Sequence, residues 1–160
     1  MLHGLGAEPL RQLLLPLWAA RGWGSAGATA DPDWQRQLCE LLAPSLTLLA
    51  DGVEQATPLF TRPDPDAAAL AQLASDGARP AVAALLALLP EGCEELSVEQ
   101  AQALLAQAAS QAGVKKGVLM KSLRAALLGS LQGPDLVTTW RLLHRSGEDR
   151  PRLQSSSTIP

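Results

Sequence analysis

Leucine and alanine occupy 59 of the 160 positions, 32 and 27 respectively, whereas valine, isoleucine, phenylalanine and tyrosine together supply 8. Strands need β-branched and aromatic residues, so a sandwich, a barrel or a doubly wound sheet has almost no material here, and an all-α fold is what remains. A chain of this length has room for one ordinary domain or two small helical ones. We therefore expect two small packed helical bundles. The hydrophobic fraction of 47% with 18% charged residues is that of a globular chain rather than a disordered one. The longest apolar run, residues 81–89, has about half the length a bilayer span needs, so no membrane partner is expected.

Charge is distributed unevenly. Residues 1–114 carry 5 Arg and no Lys against 13 acids, a balance of −8. Residues 115–152 carry Lys115, Lys116, Lys121, Arg124, Arg141, Arg145, Arg150 and Arg152 against Asp135, Glu148 and Asp149, a balance of +5. A basic third on an acidic body suits one end that faces phosphates. On charge alone, a solvated basic surface with no partner is the first expectation. Cys39 and Cys93 stand alone, with only His3 and His144 as further soft ligands. That set makes neither a zinc site nor a disulfide scaffold, and it reads as two buried thiols in a reducing compartment. The segment Met1-Leu2-His3-Gly4 lacks the basic start of a secretory signal, so a cytoplasmic location is expected.

Leu10, Leu13, Leu14, Leu17 and Trp18 fall at helical spacing, and Gly22, Gly24 and Gly27 make a flexible break after them. Asp31-Pro32 is a helix start and opens a helix over about 33–51, with Trp34, Leu38, Leu41, Leu42 and Leu49 on its apolar face. Pro44 must kink or interrupt it, and Asp51-Gly52 marks its stop, before a short helical piece over 53–60. A second Asp-Pro pair, Asp64-Pro65, starts helices at roughly 65–77 and 80–89. Ser97 and Gln100 form a capping box for a helix that runs to Gly113. A basic helix over about 117–129 follows, then one after Gly133-Pro134 that carries Leu136, Trp140 and Leu143. The Ser-rich end from Gln154 reads as disordered. The expected organisation is a first helical subdomain over 1–62, connecting helices over 63–96, a second subdomain over 97–147 and a flexible tail over 148–160.

The segment from Gly113 to Pro134, with Gly113-Val114-Lys115-Lys116-Gly117 leading to Leu123-Arg124-Ala125-Ala126-Leu127-Leu128-Gly129 and the turn Gly133-Pro134, resembles the C-terminal anticodon-binding region of bacterial-type glutamyl-tRNA synthetases. The resemblance covers about residues 5–145 and is strongest in 113–136. It implies an anticodon-recognition module that starts just after the catalytic and stem-contact portions, in the α-helix-cage style. Its partner would be the anticodon loop of tRNA-Glu. Carried over by position, it implies that Arg124 contacts that loop and that Gly133, Pro134 and Leu136 form the turn against its first two bases, with Lys121 and Lys116 alongside. It also implies that a position late in the helix over 33–51 reads the third base. Family members that refuse tRNA-Gln have an arginine there, and the position is Ser45 here, so a non-discriminating enzyme is expected. No Lys or Arg stands between Gln37 and Thr61 to replace it. Ala106 stands where some relatives have a further basic contact, and Leu143-His144-Arg145-Ser146-Gly147 departs from the family's usual close.

Taken by themselves, the same residues allow a plainer account, in which Arg124 pairs with an acid such as Asp135 and Pro134 only starts a helix. On a helix, Lys121 and Arg124 share a face while Leu119, Leu123 and Leu127 line another. Unpaired RNA bases are read by stacking and by hydrogen bonds to splayed edges. The chain contains neither a His-x-Gly-His motif nor a Lys-x-Ser-Lys loop, and no catalytic triad or paired carboxylates stand out. It should bind without catalysing and hold no cofactor or metal itself, with ATP and Mg expected only for a parent class I ligase. DNA is not an expected partner, and a monomer is expected. The competing function is a stand-alone helical protein-interaction domain whose basic end is incidental.

Overall fold

The structure is a computed structural model that describes residues 6–24, 27–46, 48–89, 96–133 and 135–157, with the side chains of residues 28, 45 and 157 set aside. Cys93 and Pro134 lie outside the described residues. All regular structure among the described residues is helical. The chain divides into two compact units, residues 1–61 and 62–160.

The first unit contains α1 (Ala7–Ala20), α2 (Pro32–Leu42) and α3 (Leu49–Phe60). Asp31 caps α2 by accepting from the Asp33 amide at 3.1 Å, with Pro32 at the first helical position. The helix expected to reach residue 51 ends at Leu42 instead and passes into a 3-10 turn, Ala43–Ser45. Pro44 lacks the amide that would have continued the ladder. The stop expected at Asp51-Gly52 is likewise corrected, because both residues lie inside α3. Asp51 is an N-terminal cap, its Oδ2 accepting from the Leu48 amide at 3.0 Å. Gly52 is required by close packing: a Cβ there would come within 2.5 Å of Leu14 Cδ2, and its carbonyl accepts from Trp18 Nε1 at 3.3 Å. A side chain would separate α1 from α3.

Phe60, the only phenylalanine in the chain, collects three tryptophans. Trp18 and Trp34 approach it tilted or edge-on, at centroid distances of 5.2 and 5.4 Å, and Trp23 stacks on it at 5.1 Å with 9° between the rings. Tilted and offset pairs of this kind match the ring quadrupoles and add to the burial of apolar area. Cys39, on α2, is fully buried, and burial pushes its thiol up to about 12. In a Cys93→Ser protein, iodoacetamide at pH 8 is expected to leave Cys39 unmodified until urea unfolds the chain, because both access and thiolate are denied. A native labelling rate within about tenfold of the unfolded rate would show that the site is open.

The second unit contains α4 (Ala67–Ala74), α5 (Ala78–Leu88), α6 (Val98–Ala112), α7 (Lys116–Leu128), α8 (Leu136–Arg145) and α9 (Asp149–Ser157). The first of these starts two residues later than the Asp-Pro signal indicates, because Asp66 is the cap, accepting from the Ala69 amide at 2.8 Å. The capping box at Ser97 forms as expected: Ser97 Oγ accepts from the Gln100 amide at 3.1 Å, and Gln100 Oε1 accepts from the Ser97 amide at 3.0 Å. Asp135 caps α8 through the Thr138 amide at 2.9 Å. The central element is α7, which packs on α4, α5, α6, α8 and α9. Its Leu119, Leu123 and Leu127 are fully buried with Leu85, Leu105, Trp140 and Leu153.

The flexible tail expected from residue 148 is corrected by α9. This helix packs on α5, α7 and α8, with Leu153 fully buried. Asp149, itself 3% exposed, accepts from Trp140 Nε1 at 3.1 Å and lies 2.8 Å from His144 Nδ1. Arg152 donates to the Leu127 carbonyl at 2.8 Å. Tertiary partners therefore order a segment whose three serines argue against helix on propensity alone.

Candidate nucleic-acid interface

The basic segment separates into two sets of cations. Arg141 donates to the Leu96 carbonyl, Arg150 to the Leu89 carbonyl at 3.3 Å, and Arg152 to the Leu127 carbonyl. Leu127 belongs to the last turn of α7, whose carbonyls have no partner within the helix, so Arg152 satisfies a group the helix leaves open. These three arginines hold backbone in place. Lys115, Lys116 and Lys121, by contrast, are exposed at and along α7.

Arg124 is partly buried and sits one turn beyond Lys121 on the same face of α7. Its guanidinium is brought against the turn that follows the helix: a Cβ on Gly133 would lie 3.3 Å from Arg124 Nη1 and 2.8 Å from Leu128 Cδ1. Gly133 has φ +151°, a conformation side chains rarely adopt, and the missing Cβ is what lets the turn lie against the arginine. Helix, arginine and turn thus form one surface in the order Lys121, Arg124, Gly133.

Leu136 is 2% exposed at the first position of α8, so its side chain belongs to the core and its part is to hold the turn rather than to touch a ligand. Pro134, between them, lies outside the described residues. Lys116 is exposed at the first position of α7. Ser45 ends the 3-10 turn of the first unit. The structure therefore brings Arg124 and Gly133 together, with Lys121 beside them on α7.

A second charged group escaped sequence reasoning altogether. Arg62 grips Glu148 with two bonds, Nε to Oε1 at 3.0 Å and Nη2 to Oε2 at 3.2 Å, and the buried Arg152 reaches the same carboxylate at 3.5 Å. The Arg62 guanidinium holds the Glu148 carboxyl below the usual carboxylate range. These residues are 86 positions apart in the chain, and no local pattern signals such a pairing.

Among the described residues no three His, Cys, Asp or Glu side chains gather where they could hold a metal ion. None of the described helices is long and apolar enough to cross a membrane. What the fold and surface define is an all-helical module whose concentrated feature is a cationic helix face beside a glycine turn. A family model described as an anticodon binding domain matches residues 9–154, and the chain belongs to that family. It is 58% identical over 96% of its length to a glutamate–tRNA ligase of Parasynechococcus marenigrum (strain WH8102), and 52% identical over the same share to one of Prochlorococcus marinus (strain MIT 9313). The chain spans about a third of the length of these curated relatives, 32% in each case. A crystal structure of a glutamate tRNA ligase from Elizabethkingia meningosepticum in complex with its amino acid has the same fold, with a TM-score of 0.83, 17% identity, and coverage of 99% of this chain and 30% of that one.

Proposed function

We propose that this chain is the anticodon-binding part of a glutamate–tRNA ligase and that it recognises the anticodon loop of tRNA-Glu through the face formed by Lys116, Lys121, Arg124 and the Gly133–Pro134 turn. The observation that carries the reading is the closeness of the Arg124 guanidinium to Gly133, where an added Cβ would lie 3.3 Å from Nη1. A planar cation beside an exposed turn offers both a surface for a base to stack on and a fork of donors for a base edge. Lys116 and Lys121 supply charge for the flanking phosphates. The module binds without catalysing, works as a monomer in the cytoplasm, and serves a longer class I enzyme that uses ATP and Mg elsewhere in its chain.

Titration of tRNA-Glu onto the protein tests this, since binding through phosphates must weaken steeply as salt is added. Arg124→Ala is expected to weaken binding by about 1 to 3 kcal/mol if the arginine reads a base, or to lower the salt slope if it touches phosphate. An unchanged dissociation constant in a folded mutant would rule out both roles. Binding blind to changes in the anticodon would reduce the face to a nonspecific basic patch.

Discrimination at the third anticodon base is expected to be weak. A serine at position 45 is too short to span to a base edge with a pair of donors. The longer enzyme should therefore also charge tRNA-Gln with glutamate. Comparing glutamylation of the two tRNAs decides the point: a strong preference for tRNA-Glu that collapses when its third anticodon base is changed would overturn it.

A further inference from the structure

The turn beside Arg124 is built on the end of α7, where three consecutive residues are each held by a separate partner. The Leu127 carbonyl accepts from Arg152 Nη1 at 2.8 Å. The side chain of Leu128 packs against Gly133, next to which the Arg124 guanidinium rests. The Gly129 carbonyl accepts from the Asp66 amide at 2.9 Å, and a Cβ on Gly129, whose φ is +67°, would come within 2.9 Å of the Asp64 carbonyl oxygen. Of these partners Arg152 is the costly one. It is 3% exposed, and its Nη2 lies 3.5 Å from Glu148 Oε1, a carboxylate that Arg62 grips from the other side. The planar guanidinium is thereby held at both ends, between a carboxylate and a backbone oxygen, which an ammonium with its single nitrogen does not match. Taking an arginine out of water costs about as much as its ion pair returns, so for stability alone an apolar side chain of similar length serves as well. An apolar side chain has no donor for the Leu127 oxygen.

We propose that Arg152 is a positioning residue for anticodon recognition: it holds the last turn of α7 so that Arg124 and the turn through Gly133 meet tRNA already in their binding arrangement. The inference rests on the reading of that face as the anticodon-binding one. Arg152 is buried and does not itself touch RNA. Its hold is on Leu127, three positions beyond Arg124 and within one helical turn of it. With the Leu127 oxygen released, the end of the helix loosens, and Gly133 and the arginine no longer share one arrangement. RNA then binds only the fraction of molecules in which the two still meet, and the apparent affinity falls by that fraction. The number of phosphates neutralised is unchanged, so the salt dependence of binding is unchanged too.

Titration of tRNA-Glu over a series of salt concentrations onto the wild type, Arg152→Met, Arg124→Ala and the double variant tests the assignment, with circular dichroism verifying that each is folded. Arg152→Met is expected to bind about tenfold more weakly with the salt slope of the wild type. In the Arg124→Ala background the same substitution should cost less than about twofold, because the group it positions is gone. Arg152→Lys, which returns a donor to the Leu127 carbonyl but cannot span to Glu148 as well, should recover part of the loss and bind about threefold more weakly than the wild type. Equal losses in the two backgrounds or an unchanged dissociation constant would overturn the proposal. So would a lowered salt slope, which would mean that Arg152 meets phosphate itself. If Arg152→Met does not fold, Glu148→Gln carries the test: a loss of about threefold that vanishes in the Arg124→Ala background upholds the proposal, and unchanged binding overturns it. A protein that ignores tRNA, or whose Arg124→Ala variant binds as the wild type does, ends the anticodon reading and this proposal with it. Dependence on Arg124 without dependence on Arg152 removes this proposal alone.

Discussion

Asp149→Ala is expected to destabilise the second unit by about 3 to 5 kcal/mol, read as a lowered urea midpoint of the helical signal. The carboxylate is 3% exposed and has two buried neighbours, the Trp140 indole N–H at 3.1 Å and His144 Nδ1 at 2.8 Å. Truncation to a methyl leaves the indole N–H, fully enclosed with its ring, without an acceptor. Each such group costs about 1 to 3 kcal/mol when desolvated without an acceptor. The Arg150 amide, which donates to the other oxygen at 2.8 Å, loses its partner as well. Asp149→Asn keeps an acceptor oxygen and is expected to cost less than half as much. A loss below about 1 kcal/mol in the alanine variant would mean that water reaches the site.

Trp18→Ala is expected to cost the first unit about 3 to 5 kcal/mol. Trp18 is fully buried, packs on Phe60 at 5.2 Å and donates to the Gly52 carbonyl at 3.3 Å, so its loss opens a cavity and orphans a carbonyl together. The unit spans 61 residues, a size at which a single core supplies only about 3 to 5 kcal/mol of net stability. The substitution therefore threatens most of what holds α1 to α3. Circular dichroism of the variant should lose the helical signal of about three helices at a urea concentration where the second unit stays folded. Loss of both units in a single unchanged transition would contradict this assignment.

Much of the helical framework was legible in the sequence, because the signals were local. Ser97 and Gln100 announce a helix start by satisfying each other's amides, and Gly113 and Gly129 close α6 and α7 in the left-handed conformation that favours glycine. The boundary between α2 and α3 was misread because Asp51-Gly52 has the composition of a stop. Its meaning depends on Leu14, which lies 38 positions away in sequence and needs the bare backbone of Gly52 for close packing. The last helix was missed for the same reason. Its serines carry weak propensity, and Leu153, Asp149 and Arg152 find their partners on α5, α7 and α8. The candidate site was legible as residue types in order, Lys121, Arg124 and Gly133. Which arginines of the basic third are taken up by backbone carbonyls was not legible, since Leu89, Leu96 and Leu127 give no sign in sequence that their oxygens are acceptors.

The last helix also sets how this chain can be handled. Its Ser-rich wording invites a cut near residue 147 to obtain a shorter protein for crystallisation or display. Such trimming would strip the lid from Trp140 and leave the indole and the His144 ring facing water without their shared acceptor. It would also release the Leu127 carbonyl at the end of α7, the helix that carries Arg124. A truncation that removes α9 is therefore expected to lower solubility rather than improve it.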